Sequence, residues 1–215
     1  MRAFLAVAAS ALLVAGIAAW KLMPAQGVEP PIAAAAPAQS SLPQQAQSAR
    51  LTLSASQTRE ALATGTLDRP VKSLLKVDKP LHFGEFAWND GGVSAGPLWI
   101  RIDPRSQLLS VFRNGDEIGT TVIVYGGDNK ETPTGTFHIL ARDKDHRSSL
   151  YDAAMPYTLQ LTNDGVAIHG STVRWGAATH GCIGVPLEFA RRLFDQARVG
   201  DEVVILPFSG KNRTS

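Results

Sequence analysis

The run QLLSVFRNGDEIGTTVIVYGG, residues 107–127, constrains the fold more than any other stretch of this 215-residue chain. It holds two β-rich segments joined across Asn114-Gly115. A two-residue turn of this kind requires positive φ at both central positions, so Asn-Gly between such segments is the strongest short hairpin signal. The flanking sequence continues the pattern. LWIRID (98–103) alternates apolar and polar, and TPTGTFHIL (132–140) bends at Pro133 and Gly135 into another strand. YTLQLT, then Asn163-Asp164-Gly165, then VAIHG reads as a second hairpin. A helix is expected only in PLEFARRLFDQARVG, where Leu187, Ala190, Leu193, Phe194 and Ala197 recur at helical spacing. Pro186 suits its first turn, Gly200 ends it, and DEVVIL closes as a strand. Residues 97–207 are therefore expected to form a mostly β sandwich with one main helix.

The sequence ahead of this region differs in character. SASQTREALATG and PVKSLLKV read as short helical pieces within residues 51–96, and NDGGVSAGP (89–97) reads as a loop and a boundary. Residues 24–50 are rich in Pro, Ala and Gln and lack a periodic apolar face, which is the composition of a tether. From Ala3 to Trp20 the chain is uncharged, behind a single basic residue. Residues 1–23 are expected to direct export, either as a cleaved signal or as a membrane anchor. Residues 208–215 form a short tail. The formal charge of +2 comes without a basic stripe, which argues against a nucleic-acid partner.

Exported proteins ordinarily hold cysteines in pairs, yet this chain has one, Cys182. An unpaired thiol in that setting points to a reactive group or to intermolecular pairing. Its surroundings, IHGSTVRWGAATHGCIGVP, favour reactivity. A thiol becomes a nucleophile as the thiolate, which needs a nearby base or cation and backbone N–H donors. His169 ends a predicted strand and His180 lies in the turn, so each is in reach of the sulfur. The helix beginning near Leu187 is expected to present its positive end to Cys182. Gly181 and Gly184 are expected to allow unusual backbone angles and close substrate approach. Backbone N–H groups of Gly181 and Cys182 could hold an oxyanion.

TPTGTF, MPY, IHG and THGC, in this order, resemble the L,D-transpeptidase (YkuD-type) catalytic domain over about residues 97–207. The resemblance implies a β-sandwich, a periplasmic location and action on peptidoglycan stem peptides without a cofactor. Cys182 matches the nucleophile that attacks the third residue of a tetrapeptide stem, expelling D-alanine before transfer to an amine. His169 matches the general base, and Gly170 stands where a backbone carbonyl orients it. Thr179, His180 and Gly181 match the residues shaping the nucleophile turn, with Met155 and Tyr157 lining the donor cleft. The resemblance also implies acylation by carbapenems.

Two departures from the family pattern stand out. Gly184 occupies a position where many members carry Arg or Asn, a role that would pass to Arg174, Arg191 or Arg192. Only nine residues separate His169 from Thr179, a short connection for the family. The acceptor stays open: a stem amine, water (an L,D-carboxypeptidase) or the lysine of an outer-membrane lipoprotein. Two other classes remain on the residues alone. One is a zinc hydrolase held by His169, His180 and Cys182, and the other is a wall-binding module with a decayed site. His138 and His146 read as surface or hairpin residues, and His82 carries no functional reading.

Overall fold

The computed structural model describes residues 50–127, 130–148 and 152–208. The export segment, the tether up to residue 49 and the tail after residue 208 lie outside the described residues. Among the described residues no helix is long and apolar enough to cross a membrane.

The larger sheet grows from the Asn-Gly hairpin. Strands β4 (Leu98–Asp103), β5 (Leu108–Arg113) and β6 (Asp116–Val122) form an antiparallel meander. Asn114 and Gly115 adopt φ of +52° and +87°, the left-handed geometry that their turn demands. β12 (Glu202–Ile205) adds in parallel to β4, and β7 (Gly135–His138) adds antiparallel to β12. A smaller sheet has the order β11-β10-β9-β8, built from β8 (Ala141–Asp143), β9 (Thr158–Gln160), β10 (Ala167–Gly170) and β11 (Ile183–Val185). The expected second hairpin is β9–β10, turning at Asn163-Asp164-Gly165.

The main core lies between the sheets and under helix α2 (Leu187–Gln196). Ile100, Ile102, Leu109, Val111 and Ile118 come from the large sheet, and Ile168, Ile183 and Val185 from the small one. Burying one such side chain stabilises by about 1.5–3 kcal/mol, so this layer supplies the main driving force for the sandwich. Helix α2 seals it with Phe189, Ala190, Leu193 and, just beyond its end, Ala197. The expected apolar face is rotated: Leu187 is exposed, and Phe194 sits half-buried between Tyr157 and Arg142. Phe189 takes the inner position because Phe86 and Trp88 meet its ring edge-on, at 5.7 and 5.4 Å.

Those two aromatics tie the segment ahead of residue 97 to the large sheet. Residues 50–96 are woven into the same sheet through β1 (Arg50–Thr52), β2 (Ser73–Leu75) and β3 (Phe86–Trp88). β2 and β3 both pair with β6, one at each end. One helical expectation holds, as α1 (Ala55–Ala63), where Ser54 and Gln57 form a reciprocal capping box. The other, PVKSLLKV, is instead strand β2, because its Ser73, Leu74 and Leu75 pair with β1 and bury alternate side chains. On the outer face of the large sheet, Leu67 and Val71 cover Trp99 and Phe112, whose rings stack at 4.4 Å.

Candidate active site

The parallel ladder between β10 and β11 places the site. Ile168 pairs with Ile183, His169 with Gly184, and Gly170 with Val185. Side chains alternate along a strand, so Ile168 and Ile183 point into the core while His169 and Cys182 share the opposite face. Cys182 sits one diagonal step from His169, roughly 8 Å between Cα atoms from strand spacing and rise. Both side chains line a cleft of about 690 Å³, together with Met155, Thr179 and His180.

His169 is buried, and its Nδ1 lies 2.9 Å from the Gly170 carbonyl oxygen. That oxygen can only accept, so Nδ1 carries the proton and Nε2 is left as the acceptor of the neutral ring. Burial, with a smaller contribution from His146, holds the imidazole pKa below its ordinary value. Burial also pushes the Cys182 thiol up, outweighing the opposing pull of the Ala167 backbone and the Lys130 ammonium. The resting pair is therefore a neutral imidazole and a thiol, and Sγ donates to the Gly165 carbonyl at 3.5 Å. This corrects the expected contribution of the helix: β11 separates Cys182 from α2, and a helix dipole fades within its first turn.

The turn that carries Cys182 is held from several sides. Thr179 Oγ1 donates to the Cys182 carbonyl, and Thr179 N–H donates to the Tyr125 carbonyl at 3.0 Å. Gly181 takes φ +96°, as its glycine allows. Gly184 has a different task from the expected one. A Cβ there would lie 2.7 Å from Val124 Cγ2 and 2.9 Å from Ser171 Cβ, so its hydrogen permits close packing rather than substrate approach. Val124 and Gly184 exchange both backbone hydrogen bonds at this contact.

Other expected residues fall outside the cleft lining. Tyr157 turns its ring onto Phe194, and Arg174 is exposed without lining the cleft. Arg191 and Arg192 are tied to Glu188 on the surface of α2. The cleft instead gains Lys130, Asp143, His146, Asp164 and Ser171. Of these, His146 had read as a surface or hairpin residue. Its Nδ1 lies 3.1 Å from Asp143 Oδ2, which also lines the cleft. Lys130 carried one faint signal, its place just ahead of the Thr-Pro-Thr-Gly turn. For the zinc alternative, no group of three or more His, Cys, Asp or Glu side chains that could hold a metal occurs among the described residues.

A family model of the L,D-transpeptidase catalytic domain (YkuD) matches residues 97–205, just over half of the chain. The chain belongs to this family. The family match spans β4 to β12 and so contains both His169 and Cys182. L,D-transpeptidase 1 of Mycobacterium tuberculosis is 26% identical over 118 residues, which cover 47% of this chain and 47% of that protein. The chain thus spans about half the length of the curated relatives it matches. Among solved structures, an L,D-transpeptidase from Stackebrandtia nassauensis superposes with a TM-score of 0.48 at 23% identity, covering 56% of this chain and 60% of that one. One from Mycobacterium smegmatis gives a TM-score of 0.49 at 20% identity, covering 60% and 69%.

Proposed function

We propose that the protein is a peptidoglycan L,D-transpeptidase in which Cys182 is the nucleophile and His169 the general base. The observation that carries this reading is the shared face of β10 and β11, which turns a neutral imidazole and a thiol into one cleft within the family-matched domain.

In acylation, His169 Nε2 takes the thiol proton as Sγ bonds to the carbonyl carbon of the third stem residue. Nδ1–H stays on the Gly170 carbonyl and keeps the ring in that tautomer. The backbone N–H groups of Gly181 and Cys182 receive the oxyanion; one such donor is typically worth about 2.7–4 kcal/mol of barrier. Collapse breaks the peptide bond, and the imidazolium returns its proton to the departing D-alanine amine. In transfer, an acceptor amine loses its proton to His169 and attacks the thioester; the C–S bond breaks, and the imidazolium returns the proton to the Cys182 sulfur. The depressed His169 pKa suits this exchange, since the ring must start neutral in both halves. Thr179 holds the turn through the Cys182 carbonyl, while Met155 and His180 line the donor side.

The uncharged stretch from Ala3 to Trp20 supports export, so the reading puts the reaction in the periplasm, on peptidoglycan stems. Incubation of the purified full-length chain with a disaccharide-tetrapeptide, followed by mass spectrometry, tests the proposal. Released D-alanine with a cross-linked dimer, both absent in Cys182→Ala, is the expected result. D-alanine with a trimmed tripeptide would make water the acceptor, and no release of D-alanine would overturn the reading.

A further inference from the structure

We propose that Lys130 forms a carboxylate-binding subsite beside Cys182 that takes the carboxylate of the leaving D-alanine. The proposal rests on the transpeptidase reading above and adds how the leaving group is recognised.

The backbone fixes where Lys130 stands. A Cβ at Gly126 would lie 2.8 Å from Thr132 N and 2.9 Å from Gly181 Cα, so the Gly126 and Thr132 backbones pack closely against the turn that carries Cys182. Thr132, itself buried, accepts the Gly126 N–H at 2.9 Å and locks this curve. The Lys130 stem then runs along Gly181, with Cγ 3.4 Å from where a Cβ would stand. Its ammonium ends 3.9 Å from Asp164 Oδ2. Asp164 adjoins Gly165, whose carbonyl accepts the Cys182 thiol. The stem, the ammonium and the sulfur therefore follow one wall of the cleft.

Among the described residues, Lys130 is the one point on this wall where an anion can bind. Lys130 is the only lysine or arginine among the described lining residues; the other ionisable groups are Asp143, Asp164, Cys182, His146, His169 and His180. The ammonium's carboxylate partner is mostly exposed, and exposed ion pairs are weak. A substrate carboxylate can therefore replace Asp164 on Lys130. Covalent geometry places the right carboxylate within reach. In the leaving residue, the carboxylate carbon is three bonds from the scissile carbonyl carbon, within roughly 4 Å. A cation beside the sulfur meets that group while the carbonyl sits over Sγ. On release, free D-alanine departs with its carboxylate and Lys130 returns to Asp164.

The test compares kcat/KM for a tetrapeptide ending in D-alanine with that for the same peptide ending in D-alaninamide. The wild-type chain is expected to prefer the acid by about tenfold. Lys130→Met is expected to bring the ratio close to one, and Lys130→Arg to preserve it. Because the ratio is taken within one protein, any change in Cys182 reactivity caused by losing the ammonium cancels. A preference that survives in Lys130→Met overturns the subsite. Absence of D-alanine release from the acid and of D-alaninamide release from the amide overturns the transpeptidase reading and the subsite with it.

Discussion

His169 and Gly184 face each other across the parallel β10–β11 ladder, so the position opposite the imidazole carries no side chain. The space is taken by Val124 and Ser171, which close on Gly184 from the two sides. This chain has filled the gap from neighbouring elements and anchors the turn through the Val124–Gly184 hydrogen bonds.

Gly184→Ala is accordingly a stability variant. The added Cβ overpacks against Val124, which is buried, and such insertions cost about 1–3 kcal/mol. Calorimetry should show a fall in Tm of several degrees. Val124→Ala in the same chain should recover part of it, so the double variant is less destabilised than the two single effects combined. Strict additivity would show that the contact is not the cause.

The neutral state of the Cys182–His169 pair makes a kinetic prediction. The thiol is raised and the imidazole lowered, both chiefly by burial. Iodoacetamide reacts with the thiolate, so the rate of labelling at Cys182 should climb with pH toward the alkaline limb. No plateau should appear between pH 5 and 7. A plateau there would reveal a preformed thiolate–imidazolium pair and contradict the mechanism.

His169 also links folding to acid. Its folded pKa lies below its unfolded value of about 6.5, so the unfolded chain binds the proton first as pH falls. The stability is complete above about pH 6.5 and is lost as pH drops through the depressed folded value. His169→Gln should flatten this part of the Tm–pH curve; an unchanged slope between pH 7 and 5 would count against the buried neutral ring.

How much of this could be read in the sequence depended on the range of the interaction. Asn114-Gly115, the capping box at Ser54 and the β9–β10 turn encode their geometry within a few residues, and they were legible. The clustering of Cys182, His180 and His169 in one cleft was legible too, because these residues and their glycines are close in sequence. PVKSLLKV was not, since pairing to β1 and β6 overrides its local helical pattern. His146 and Asp143 reach the cleft only through the sheet topology, and nothing local marks them, while Lys130 had only its place ahead of the Thr-Pro-Thr-Gly turn. The rotation of α2 that buries Phe189 likewise comes from Phe86 and Trp88, about a hundred residues earlier.

The integration of residues 50–96 into the large sheet is testable at Trp88. Its ring lies against Phe189 and covers Gly119, whose missing Cβ leaves it room. A fully buried aromatic costs about 3–5 kcal/mol on truncation to Ala, and a half-buried one about 2 kcal/mol. Trp88→Ala should lower Tm within a single cooperative transition. An unchanged Tm, or a second independent transition, would mean that this segment folds apart from the catalytic sheet.

The central claim is that Cys182 becomes acylated by the stem and that His169 enables it. Intact-mass spectrometry of the full-length chain, quenched in acid soon after mixing with tetrapeptide, measures this directly. A tripeptide adduct should appear on the peptide containing Cys182, with one D-alanine released per adduct. It should be absent in Cys182→Ala and form far more slowly in His169→Gln. D-alanine release that persists in Cys182→Ala, or an adduct on any other residue, would contradict the account.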